Sequence, residues 1–238
     1  MRTSMVSVAT AAVLAWGQSG SYAQALSTAA VPAPALPEMA SKGVQCQLVE
    51  EALFALVQIG SNDGPDSLAV QSLQQARAEM QPEALRLYQT LAQSFRGSDA
   101  YDNGAEAYAA AVGMYVDRAL RACAQAWFPQ ADAQRVNACV NANLAGAAAS
   151  QGKRRDGSVA KALQSAQKAA PVGEELAQKV VEYFYRYPAS AYEQQGATRI
   201  SGGAKEQCLN GQWPVTVVAP ASAPATPVSP VMPVHSSQ

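Results

Sequence analysis

The sequence predicts an all-α protein, an irregular or orthogonal bundle of about six to seven helices stapled by disulfides. Three observations predict it. Between residues 44 and 213 apolar side chains recur at three- and four-residue spacing and almost never alternate, as on one face of a helix. The same stretch is rich in Ala, Leu and Gln, all good helix formers. Four cysteines, Cys46, Cys123, Cys139 and Cys208, lie within it, behind an N-terminal segment that reads as an export signal.

That segment has three parts in order. A basic start ends at Arg2, an uncharged apolar stretch covers 5–16, and small residues follow: Ser21-Tyr22-Ala23 and Ala23-Gln24-Ala25 both suit a signal peptidase. The apolar stretch is well short of the ~20 residues that span a bilayer, so residues 1–25 read as a cleavable signal peptide and not as an anchor. A disordered, extended Pro/Ala linker, 26–43, comes next, because Val31-Pro32-Ala33-Pro34-Ala35-Leu36-Pro37 resists both helix and sheet. The helical domain is expected over 44–213. The remainder, 214–238, holds six prolines and no charged residue and reads as a disordered, polyproline-II-leaning tail.

Within the domain the first helix is predicted over 44–59, with Leu48, Ala52, Ala55, Leu56 and Ile59 on one stripe. Ser61-Asn62-Asp63-Gly64 ends it, and Pro65 suits the first turn of a second helix that carries Leu68, Leu73 and Ala76 to about Met80. Pro82 forbids continuation but can open a third helix through Leu85, Tyr88, Leu91 and Phe95. A long fourth helix follows over 105–127, with Tyr115, Leu120 and Cys123 on its stripe and an i,i+4 pair of Asp117 and Arg121 on its flank. Phe128-Pro129 breaks it. Further helices are expected over 131–149, 158–169 and 173–187, the last stopped by Pro188. Lys153-Arg154-Arg155, between Gly152 and Gly157, reads as a solvated loop, and so does Ser201-Gly202-Gly203-Ala204-Lys205.

An even number of cysteines in an exported chain favours disulfides over zinc, since no two have the short spacing of a structural zinc site. The turn at Pro129 suggests an antiparallel hairpin bridged by Cys123 and Cys139, leaving Cys46 for Cys208. Four cysteines allow three pairings, and spacing alone does not choose among them. A Cys46 to Cys123 bridge is the result that would overturn the hairpin register.

The candidate chemistry is defined mainly by what is missing. The single histidine, His235, sits in the tail, which removes histidine-based nucleophile pairs, histidine general bases and the common zinc and haem sites. No cofactor, metal or catalytic motif is read here. Glu50-Glu51 and Glu174-Glu175 are adjacent carboxylates, but helix neighbours point about 100 degrees apart, so neither pair is expected to converge on one substrate atom. The segment from Asp99 to Gly104 lacks two of the oxygen ligands of a calcium loop and suits a turn or helix cap better. A net charge of −1 with 15% charged residues gives no basic excess for nucleic acid. One surface feature stands out: Tyr185 and Arg186, with Tyr192, form a possible contact surface. The expectation is an exported, non-catalytic binding or interaction module of the periplasm or cell envelope, meeting a protein or envelope component. The alternatives are a carboxylate hydrolase working without histidine and a scavenger of small apolar ligands, which would need a cavity between helices.

Overall fold

A computed structural model describes residues 33–61, 68–96, 104–155, 157–170 and 172–215, with backbone alone at 60–61, 95–96 and 104–112. The predicted signal peptide, the start of the linker, the turn at 99–103 and the tail beyond 215, with His235, lie outside the described residues. The described residues are all-helical: α1 Lys42–Ser61, α2 Leu68–Glu79, α3 Pro82–Arg96, α4 Gly104–Trp127, α5 Ala133–Arg154, α6 Val159–Ala169, α7 Glu174–Tyr185 and α8 Gly196–Leu209, with a 3-10 turn at Ala189–Tyr192.

Helix α1 organises the bundle, packing most extensively against α8, α2 and α4. It begins where Ser41 accepts a hydrogen bond from the Val44 amide, a standard N-cap. One buried polar residue, Gln45, anchors it further. Its amide nitrogen donates to the Met39 and Glu79 carbonyls, and its oxygen accepts from the Gln81 amide at 2.6 Å. A single side chain thereby satisfies the end of α2 and the start of α3, whose backbone groups a helix leaves unpaired.

Two cores flank α1. On one side Leu48, Leu53, Leu56, Met80, Tyr88 and Tyr115 interlock across α1 to α4. On the other, alanines of α5 and α6 pack with Phe184, Ile200, Leu209 and all but one face of α7. The predicted Asp117–Arg121 pair is present at 2.8 Å, and Arg121 also donates to Asn137 of α5.

Three expectations are corrected. Helix α5 runs through Gly152 to Arg154, so Lys153 and Arg154 sit in its last turn, where cations suit the negative end of the helix dipole, and not in a loop. The segment 33–41 has no regular structure, yet it is tethered: the Arg199 guanidinium donates to the carbonyls of Pro37 and Leu36 at 2.5 and 3.2 Å. The loop expected at Ser201 to Lys205 is instead the middle of α8, which is largely buried.

The cysteine pairing changes with it. The bridges are Cys46–Cys123 and Cys139–Cys208, with Cα atoms 5.8 and 5.7 Å apart. The Cys123–Cys139 hairpin bridge is absent because α4 turns its cysteine face toward α1, whereas α5 turns its own toward α8. Each bridge closes a loop of about 70–80 residues, worth about 4.5 kcal/mol of unfolded-state entropy apiece.

Candidate functional site

The candidate site is built at the crossing of α1 and α8. These helices run antiparallel: the Gly43 amide donates to Glu206, and two turns away the Thr198 hydroxyl meets Glu51. Their backbones nearly touch, since a methyl group on Gly202 would collide with the Val44 backbone and one on Gly43 with the Gly202 carbonyl. Glycine is required here for close approach and not for a turn. The approach brings Lys205, one turn beyond Gly202, into the seam between α1 and α5.

Lys205 is 3% exposed and Glu50 5%. They form an ion pair at 3.3 Å. Lys205 donates to Asn143 Oδ1 at 2.7 Å and to Gln47 Oε1, while Asn143 donates to Glu50 Oε2 at 3.0 Å. Three helices thus share one charged, hydrogen-bonded network. Beside it, Glu51 accepts from Gln47 at 2.8 Å and from the Thr198 hydroxyl. A buried charge is tolerable only when it is paired and hydrogen-bonded, and this network meets that condition with one exception. Glu50 Oε1 is buried and accepts no hydrogen bond.

The network borders a cavity of about 280 Å³ between α1, α4, α5 and α8. Gln47, Glu50, Glu51, Asn143 and Lys205 supply its polar part; Val116, Ala142, Leu144, Phe184 and Trp213 supply apolar wall. Phe54 and Leu144, 38% and 44% exposed, mark the rim. Burial raises the Glu50 carboxyl above its ordinary value, against the opposing charge of Lys205. Burial raises Glu51 as well, opposed by the hydrogen bonds from Gln47 and Thr198. The arrangement can hold a small molecule with an apolar body and a polar group that meets a carboxylate.

Sequence reasoning set Glu50 and Glu51 aside because they diverge on the helix, and their side chains do engage different partners. It missed that one cavity spans both and that α8 would deliver a lysine between them. The signal available was Gly-Gly followed by lysine in a segment flanked by Ile200 and Cys208, which has the spacing of a close-packed helix face.

Of the three residues of the expected contact surface, Tyr185 and Arg186 line one surface groove and Tyr192 is buried. Tyr192 is buried and its hydroxyl donates to the Phe184 carbonyl at 2.6 Å, because the 3-10 turn folds it back under α7. Tyr185 is half-buried, donates to the Gly157 carbonyl at 2.9 Å and carries Lys153 over its ring at 5.0 Å, so it latches the turn between α5 and α6. Arg186 is exposed and stacks on the Tyr183 ring. Among the described residues no three His, Cys, Asp or Glu side chains are grouped as a metal site requires and no helix is long and apolar enough to cross a membrane. No family model matches the chain, and neither a curated protein nor a solved structure matches it.

Proposed function

We propose that this protein is an exported, non-catalytic binding module whose cavity at the α1–α5–α8 seam takes a small, mainly apolar ligand with one polar group. The observation that carries the reading is a cavity of about 280 Å³ with an apolar wall, bordered by Gln47, Glu51 and Asn143. The disulfides tie the helices around the cavity to one another and favour a preformed site. Export is supported by the signal pattern and by the paired cysteines.

A second reading, carboxylate hydrolysis, is favoured by one observation, the presence of two raised carboxyls in one cavity. Against it, Glu50 is committed to Lys205 and Asn143, and Glu51 to Thr198 and Gln47, so a proton transfer at either disrupts the network.

Native mass spectrometry of protein recovered from the exported fraction tests the first reading. The expected result is a mature chain starting after residue 23 or 25 that carries a small molecule, and Ala147→Phe, which grows into the cavity from its exposed rim, releases that molecule. A ligand-free protein that also binds nothing from a panel of small amphiphiles sinks the binding reading. An intact Met1 in the exported fraction sinks the cleaved signal. Release of a chemically altered ligand favours the hydrolase.

A further inference from the structure

We propose that the tail docks on the protein's own surface: the segment 224–234, wound as a polyproline-II helix, lies in the groove bordered by Val159, Tyr185 and Arg186. Three observations meet there: the period of the tail, the character of the groove and the place where the tail leaves the domain.

From Pro224 the sequence reads Pro-Ala-Thr, Pro-Val-Ser, Pro-Val-Met, Pro-Val-His, so proline recurs at 224, 227, 230 and 233. A period of three matches neither an α-helix nor a strand, and it is the period of polyproline II, in which residues three apart share an edge. One edge then carries the four prolines, the next carries Ala225, Val228, Val231 and Val234, and the third carries Thr226, Ser229, Met232 and His235. Two adjoining apolar edges and a mainly polar third make an amphipathic rod. A flexible spacer needs no such period.

The groove offers the surface that such a rod requires. It encloses about 540 Å³ between the start of α6 and the end of α7. Val159, 53% exposed, and the half-buried Tyr185 ring give it an apolar, aromatic wall, the kind of surface on which prolines pack. Lys179 and Glu182 on its border pair with each other at 3.2 Å, which suits an uncharged ligand, and no Lys, Arg, Asp or Glu follows Glu206. Arg186 is exposed and lies over the Tyr183 ring at 5.0 Å, so its N–H groups are at hand for the tail's carbonyls, which polyproline II leaves without internal partners. Trp213, itself largely buried, closes one end of the groove, so the chain enters its tail from the groove's own border. The ten residues 214–223 then span up to about 31 Å, enough to bring the proline stripe back, and so short a tether holds it at an effective concentration in the millimolar range.

The test is elastase digestion of the full-length, oxidised protein, read as cleavage after Ala225. Protection is the ratio of the cutting rate in a free synthetic peptide of residues 216–238 to the rate in the protein, each variant being compared with its own peptide. Wild type is expected to show at least about fivefold protection, since cleavage tracks the undocked population. Val159→Glu places a charge in the apolar groove at a position where an acidic side chain suits the start of α6, so the fold is kept, and protection is expected to fall below about twofold. Exchanging Pro227 with Val228 and Pro230 with Val231 keeps the composition, breaks the period, and is expected to have the same effect. Wild-type protection near unity overturns the proposal. Protection untouched by Val159→Glu places the tail elsewhere and overturns it too, and protection untouched by the exchange shows that the period is not what is recognised. Protection that falls on dilution assigns the contact to a second copy and overturns docking within one chain.

Discussion

The core around α2 and α3 and the core around α5 to α8 share helix α1 but are tied together differently. Both mix large side chains with alanines: Leu48, Leu53, Leu56, Met80 and Tyr88 with Ala52, Ala76, Ala84 and Ala92 in the first, and Tyr183, Phe184, Ile200 and Trp213 with alanines of α5 and α6 in the second. The second lets backbones approach through Gly43, Gly202 and a row of alanines, Ala142, Ala145, Ala149, Ala162 and Ala166, with both disulfides and the Glu50–Lys205 network in its seams. Covalent and polar ties are therefore added to packing in the second core, which also borders the cavity of about 280 Å³.

Four experiments break or sharpen that contrast, beginning with the largest effect. Lys205→Ala strands Glu50 without its counter-ion and is expected to cost about 3–5 kcal/mol in urea unfolding. The double change Glu50→Leu/Lys205→Met is expected to recover most of that loss, and failure to recover would mean that Lys205 acts through packing. Replacing the Cys139–Cys208 pair by alanines should cost about 2–5 kcal/mol by the same measurement. A change below about 1 kcal/mol would show the second core to be self-sufficient. Ala145→Leu, at a fully buried position of the tight core, is expected to cost about 1–3 kcal/mol or more, whereas Leu53→Met in the other core should cost under about 1.5 kcal/mol. Equal costs would erase the distinction between the cores.

The smallest effect is a pH dependence. Burial raises Glu51 above its ordinary value of 4.5, so the folded chain retains a proton that the unfolded chain has released. Stability contributed by this group falls as pH rises from 4.5 through the raised value. Glu51→Gln removes that loss. Its melting temperature relative to wild type is expected to increase on going from pH 4.5 to neutrality, and a constant difference would show that Glu51 is not held in a desolvated place.

Most of the fold was legible because local rules and packing agree over α1 to α7. Pro82 opens α3, Pro129 follows α4, and the stripe of Leu176, Val180 and Phe184 is buried as its spacing requires. Helix α8 was illegible for a physical reason. Gly196, Gly202 and Gly203 are unfavourable in an isolated helix by about 1 kcal/mol each, which makes the segment read as a loop. That cost is met by tertiary contacts no single segment records, since only a residue without a side chain fits against Val44, Tyr183 and the Ala191 carbonyl. The cysteine pairing and the charged floor were lost with it, because Cys208 and Lys205 both ride on α8. Tyr192 was misread because the 3-10 turn after Pro188 reverses the chain, where helical spacing no longer predicts the face.

The order of the bridges has a consequence for how such a chain is made. Cys46 joins Cys123 and Cys139 joins Cys208, so the two covalent loops lie one after the other along the sequence, neither nested nor interlaced. A chain threaded N-terminus first into an oxidising compartment presents its thiols in that same sequence. On the export proposed above, each newly arrived second thiol finds its partner already waiting, and oxidation in order of arrival is expected to yield the native set without reshuffling by an isomerase.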